Sequence, residues 1–286
     1  MPGDVLVMGA VAYDAKVVTI WEGFRRWFRA AGLPFDFVLY SHYERQVEDL
    51  VAGHLDAAWN SPLAWIRADR LAAARGRTVR STVMRDTDQD LTSVIVVRTD
   101  SGITSVTDLK GRSVGTGAID SPQATLLPLS LLRASDLDPD NDLSVHHFDV
   151  GVGLHGDHIG GERDAARALM AGEVDAACMI DGNHLLFLQE GVLPSETTRV
   201  LAQTPVFDHC TMTTVDTGPS ELTHRFIELL LSMSYADPEV RPLMDLEGLH
   251  EWRRGRVSGY GPLVDAVDES GFYGRDGSIG DAGYAP

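Results

Sequence analysis

Apolar residues run through this chain in two rhythms that alternate. Short stretches are apolar almost throughout, at residues 4–12, 35–40, 55–59, 79–84, 93–98, 113–116 and 174–180. Buried strands of a parallel sheet read this way, because both faces are covered. Between them, apolar side chains recur every three or four positions. Ile20, Phe24, Trp27 and Phe28 form one such stripe within residues 17–31, which predicts an amphipathic helix. Strand and helix signals alternating over most of the chain predict an α/β fold with mainly parallel sheets.

One unit of this rhythm occurs twice. Ala52-Gly53-His54-Leu55-Asp56-Ala57-Ala58 and Ala171-Gly172-Glu173-Val174-Asp175-Ala176-Ala177 each follow an amphipathic helix and open an apolar strand. The glycine suits a left-handed helix stop. A further helix starts just beyond each strand, after Asn60-Ser61-Pro62 and after Asp181-Gly182-Asn183-His184. Two similar lobes follow from this duplication. The β-prone passages near residues 85–98 and 206–215 are the expected crossings between them. Lobe one then comprises residues 1–92 and 206–286, and lobe two residues 93–205. Two crossings make a hinge with an interlobe cleft, and the glycine-rich tail 271–286 is expected to fray.

Ligands of open α/β sheets sit at strand ends, where helix N-termini offer free N–H groups and partial positive charge. Such helix starts lie after Asn60, Asp120 and Asp181. Ser61 and Ser121 each precede a proline, and a serine there also serves as an N-cap. With Thr125 they are the candidate oxyanion ligands. Tyr13, Asp14 and Trp59 lie at strand-end loops of lobe one and are candidate cleft residues, joined by Gln123 behind Ser121. Loop residues His155 and His158, with Asp181 and Asp208, complete the candidate ligand set.

Charge and cysteine content narrow the chemistry. A net charge of −18 over 286 residues argues against nucleic acid or anionic membrane as partner, since both need basic patches. No apolar run approaches membrane-spanning length. Two cysteines, Cys178 and Cys210, make neither a disulfide framework nor a zinc ribbon. Gly151-Val152-Gly153-Leu154-His155-Gly156 matches GxGxxG, but a dinucleotide site also needs a partner acidic residue at a second strand end. No cofactor or metal site is predicted, because His146 and His147 point to opposite faces of a strand and no chelating spacing completes a cage. Read as a strand, Asp208-His209-Cys210 puts His209 on the face opposite the other two. The N-terminus lacks the sections of a signal peptide. That predicts a cytoplasmic protein, extracytoplasmic only if a leader has been removed.

Asp108-Leu109-Lys110-Gly111-Arg112-Ser113-Val114, followed by Asp120-Ser121-Pro122 and an apolar helix, resembles the phosphate/phosphonate type of ABC-transporter substrate-binding protein. The doubled AGxxDAA strands, Asn60-Ser61-Pro62 and the late segment from Trp252 to Tyr260 extend the likeness over nearly the whole chain. The resemblance implies a type 2 periplasmic-binding-protein fold whose lobes close on a small anionic or zwitterionic ligand, with a transporter permease as partner if the chain is exported. Ser121-Pro122-Gln123-Ala124-Thr125 carries fewer hydroxyls than the family's loop, and Pro122 removes one N–H. The alternative is a cytosolic enzyme on the same fold, a decarboxylase or lyase acting on a small carboxylate, with His155, His158, His209 and Asp181 as acid–base candidates.

Overall fold

The computed structural model describes residues 5–216, 220–281 and 283–286. Residues 1–4, which carry part of the leader reading and the start of the first expected strand, lie outside them.

The chain begins β1 (Leu6–Val11), α1 (Lys16–Ala30), β2 (Phe35–Tyr40), α2 (Tyr43–Ala52), β3 (Ala57–Asn60), α3 (Pro62–Ala74) and β4 (Val79–Arg85). It crosses to β5 (Ser93–Arg98) and β6 (Ser113–Thr116). A wide helical turn at Pro122–Leu126 then leads into α4 (Leu127–Ala134), β7 (Ser144–His147), α5 (Gly160–Ala171), β8 (Ala176–Ile180), α6 (Asp181–Gln189) and β9 (Thr198–Gln203). It returns through β10 (Thr211–Val215), α7 (Glu221–Ser232), α8 (Arg241–Glu247), β11 (Trp252–Arg254) and α9 (Gly261–Ser270).

Two sheets result, in the orders β11-β4-β10-β3-β1-β2 and β7-β6-β8-β5-β9. In the first, β1 pairs parallel with β2 and β3; in the second, β6 pairs parallel with β7 and β8. The strands that carry the crossings, β5 and β10, pair antiparallel with their neighbours. Each sheet is therefore a parallel triplet joined, through one antiparallel crossing strand, to a further strand, β4 or β9, that again runs with the triplet. A strand entering directly from the other lobe, without a crossover helix, runs against its new neighbours. The crossings pair with each other through Leu91 and Phe207.

Residues 207–210 are consequently a crossing rather than strand, and the alternation expected for Asp208, His209 and Cys210 does not hold. His209 and Cys210 lie together, Nδ1 to Sγ at 3.1 Å.

Trp21, Phe24, Phe28, Phe35 and Phe226 fill one side of the first sheet. Burial of each such ring contributes about 1.5–3 kcal/mol. A second cluster spans both lobes, with Leu126 and Leu127 against Tyr260, Leu263 and Phe272. Described residues of the glycine-rich tail pack against lobe one. Phe272, Tyr273 and Tyr284 are buried, Arg70 Nη1 donates to the Tyr273 carbonyl at 2.7 Å, and Arg67 Nε donates to that of Gly277 at 3.1 Å.

Candidate functional site

A cavity of about 230 Å³ lies between the lobes. Lobe one contributes Tyr13 from the loop after β1, Lys16 from the first turn of α1, Trp59 from β3 and Arg85 from the end of β4. His209 and Cys210 enter from the return crossing. Lobe two contributes Gln123, Gly156, Asp157, Ile180 at the end of β8, and Asn183 in the first turn of α6.

The two cations differ. Arg85 is held from three sides, donating to both Asp88 oxygens at 2.6 and 2.8 Å and to the Glu247 carbonyl at 2.9 Å. Its guanidinium lies 5.3 Å from the Trp59 ring centre. Burial alone would raise the Asp88 carboxyl, but the charge and hydrogen bonds of Arg85 outweigh it and hold the group at about 2. Glu247 is buried behind Arg85; burial pushes it to about 7 against the pull of that arginine. Lys16 forms no ion pair among the described residues, and its ammonium lies 5.5 Å from the Tyr13 ring centre.

Two of the three helix starts expected to hold an oxyanion, those after Asn60 and Asp120, are covered by the protein itself. The loop 151–158 of lobe two reaches into lobe one, where Tyr43 N–H donates to the Gly153 carbonyl at 3.1 Å. His155 is fully buried. Its Nδ1 lies 2.7 Å from Ser61 Oγ, which also caps α3 by accepting from Ala64 N–H at 3.0 Å. Its Nε2 donates to Glu44 Oε1 at 2.9 Å, and Tyr273 OH donates to the same oxygen at 2.6 Å. Burial opposes ionisation of Glu44, but the His155 charge and these bonds prevail and hold it at about 2. The Tyr43 ring stacks on the His155 ring at 4.7 Å, and the Tyr43 hydroxyl donates to Asp157.

The glycines explain how the loop comes so close. Gly151, Gly153 and Gly156 all have positive φ, where glycine alone is unstrained. A Cβ on Gly156 would fall 2.4 Å from Ser121 Oγ. GxGxxG here is a means of folding a tight loop over Ser121. His155 itself has φ +49°, a conformation held by its hydrogen bonds on both ring nitrogens.

Of the sequence-predicted ligands, Tyr13, Trp59 and Gln123 line the cavity. The others are placed differently, because their polar atoms are used within the fold. Asn60 Oδ1 accepts from Gln46 Nε2 at 2.8 Å. Ser121 Oγ accepts from Ala124 N–H at 3.1 Å, and Thr125 Oγ1 donates to the Ala118 carbonyl at 2.8 Å. Asp208 is buried in a fork with Arg256, at 2.6 Å for each contact, under Gly259, where a Cβ would lie 2.1 Å from its Cγ. Asp14 Oδ1 accepts from Lys16 N–H at 2.8 Å, at the start of α1, and His158 Nδ1 accepts from Gly160 N–H at 3.1 Å. Asp181 accepts from Thr92 Oγ1 at 2.8 Å and from Gly182 N–H at 2.6 Å.

The four acid–base candidates do not form a set. His155 is sealed under the loop, His158 and Asp181 serve helix starts, and only His209 lines the cavity. His209 and Cys210 lie near Asp88, but Arg85 occupies both Asp88 oxygens, so no cation is needed there. Burial, with Asp157 and Asp88 nearby, pushes the Cys210 thiol far up, which suits packing rather than nucleophilic attack. Lys16, Arg85, Asp157 and Asn183 line the cavity outside the predicted set. Lys16 and Asn183 stand in the first turns of the helices that follow β1 and β8.

The family model for phosphonate periplasmic substrate-binding proteins of ABC transporters matches residues 9–260. Among solved structures, the chain is similar to the PhnD1 protein of Prochlorococcus marinus in complex with methylphosphonate. The two are 14% identical with a TM-score of 0.69, over 94% of this chain and 98% of that one. It is also similar to a binding protein component of a phosphonate ABC transporter from Pseudomonas aeruginosa, at 14% identity and TM-score 0.62, over 92% and 85% of the two chains. The aliphatic sulphonate binding protein SsuA of Escherichia coli gives 18% identity and TM-score 0.59, over 94% and 88%. No curated protein matches the chain. The structural matches carry the two-lobed fold, and the family model carries membership of a family of substrate-binding proteins. They overturn the cytoplasmic expectation, because the family is periplasmic; the N-terminal residues were an unsafe guide to address. The chain belongs to the family of periplasmic substrate-binding proteins of phosphonate ABC transporters.

Proposed function

We propose that the interlobe cavity clamps one small solute bearing a phosphonate, phosphate, sulfonate or carboxylate group. The anionic group lies against Lys16 and Arg85, and the remainder against Gln123, Asp157 and Asn183. The observation that carries this reading is a cavity walled by both lobes in which Lys16 has no ion pair among the described residues. Charge-assisted contacts to carboxylate or phosphate oxygens are stronger than neutral ones. Closure turns on the crossings 86–92 and 204–210, with residues 1–92 and 206–286 moving against 93–205. The loaded protein then hands its solute to the permease of an ABC transporter.

The test is thermal shift and calorimetry with methylphosphonate, phosphate and methanesulfonate, followed by native mass spectrometry. Stabilisation by one of these anions, recovered chemically unchanged, is expected. Consumption of the anion, or no shift with any of the three, overturns the reading.

A further inference from the structure

Beneath the lobe-two wall of the cavity lies a carboxyl group that the binding reading does not use. Glu162, in the first turn of α5, is 2% exposed. Its Oε2 accepts from Ile180 N–H at 3.1 Å and from Asn183 Nδ2 at 2.7 Å. Its Oε1 is buried with no hydrogen-bond partner, and so is Oε1 of Gln123. The Gln123 side chain does not bond to Glu162; its Nε2 donates to the Gly156 carbonyl at 2.8 Å. Ile180, Asn183 and Gln123 all line the cavity. One carboxyl thus braces two wall residues, one at the end of β8 and one in the first turn of α6.

No arginine or lysine pairs with Glu162 among the described residues; Arg163, its neighbour in sequence, is turned to Glu190. The titratable groups on the elements packed around it offer little compensation. They are Cys178 on β8, Asp181 and His184 on α6, Asp157 and His158 on the covering loop, and His209 from the return crossing. A buried carboxylate without a cation is costly, and such a group keeps its proton instead. Burial accordingly pushes Glu162 to about 7. An anion arriving over the same wall would meet a negative charge if Glu162 were ionised, and a neutral hydrogen-bonding group if it were not.

We propose that Glu162 is a positioning residue that must be protonated for the cleft to hold an anionic solute, so that solute binding takes up a proton. This rests on the binding reading above. Linkage then makes anion affinity fall as pH rises above neutrality, approaching tenfold per pH unit once Glu162 is ionised in the free protein. Glu247, buried behind Arg85, and Asp157, which lines the cavity itself with its carboxyl raised by burial, contribute separately, so the Glu162 effect must be isolated by substitution.

Two measurements on the full chain decide it. Infrared difference spectra between the native protein and E162Q follow the carbonyl stretch of a protonated carboxyl from pH 5 to pH 9, with no solute present. Calorimetry with methanesulfonate and methylphosphonate, in two buffers of different ionisation heat at pH 8, counts protons taken up. Methanesulfonate does not itself titrate in this range. The expected results are a protonated-carboxyl band at pH 6 that E162Q lacks, and a proton count about one lower in E162Q with a flatter affinity profile. A Glu162 already ionised at pH 6, or equal proton counts and pH profiles in both proteins, overturns the proposal. If E162Q does not fold, absence of any proton uptake by the native protein has the same force. If neither anion binds, the binding reading fails, while an absent infrared band would overturn the Glu162 assignment independently.

Discussion

Two segments with the same residue pattern, Ala52–Ala58 and Ala171–Ala177, behave alike until their strands end and then part. Gly53 and Gly172 both stop a helix in the left-handed conformation. Asp56 Oδ2 accepts from Val7 N–H at 2.8 Å at the start of the first sheet, and Asp175 Oδ2 accepts from Ser113 N–H at 2.9 Å at the start of the second. Each aspartate ties the third strand of its parallel triplet to the first. Beyond the strands, Asn60 and Ser61 are sealed under the loop 151–158, whereas Ile180 and Asn183 open onto the cavity. The lesson is that a duplicated scaffold can be duplicated in its joints and divided in its function. The helix start after one strand receives a loop of the other lobe, while the helix start after the other opens onto the cavity.

The sharpest way to break this contrast is to remove what seals the first strand end. His155→Ala leaves Glu44 buried without its partner, and breaking such a pair costs about 3–5 kcal/mol. A urea midpoint unchanged from the native protein would mean the seal is decorative. The acid limb follows from the same pair. Glu44 sits at about 2 against an ordinary value of 4.5, so its stabilisation is complete above pH 4.5 and lost as pH falls toward 2. That loss is on the order of 3 kcal/mol, and Glu44→Gln should flatten it in unfolding curves taken from pH 2 to pH 6. Glu162 in the other lobe has the opposite sign. Its folded value is raised to about 7, so its contribution erodes stability as pH rises from 4.5 through 7.

Binding should divide in the same way. Lys16→Ala removes the uncommitted cation and should weaken anion affinity by about 10- to 100-fold, the scale of a charge-assisted hydrogen bond, with little change in melting temperature. Ser61→Ala should do the reverse, costing about 1 kcal/mol of helix capping while leaving the calorimetric Kd of the folded protein unchanged. A Kd that follows Ser61 and ignores Lys16 would return the oxyanion to the sealed helix start. The smallest effect tests the shared joint. Asp56→Asn and Asp175→Asn should each cost about 1 kcal/mol, equally within error, in denaturant titrations; a large difference would break the equivalence of the two units.

Local chemistry alone determined much of this protein. Apolar rhythm, left-handed glycines and Ser-Pro helix starts place strands, helices and the doubled unit, because each depends on residues within a few positions of one another. The same reading singled out Tyr13, Trp59 and Gln123, which line the cavity, since strand ends and helix starts are where α/β sheets leave groups free. Tertiary structure decided which free groups stayed free. Ser61 meets His155 across 94 residues and Glu44 meets Tyr273 across 229, and no periodicity records pairs so far apart. Whether a helix start holds a solute or a neighbouring loop depends on which chain segment reaches it first, and that is a property of the packed lobes.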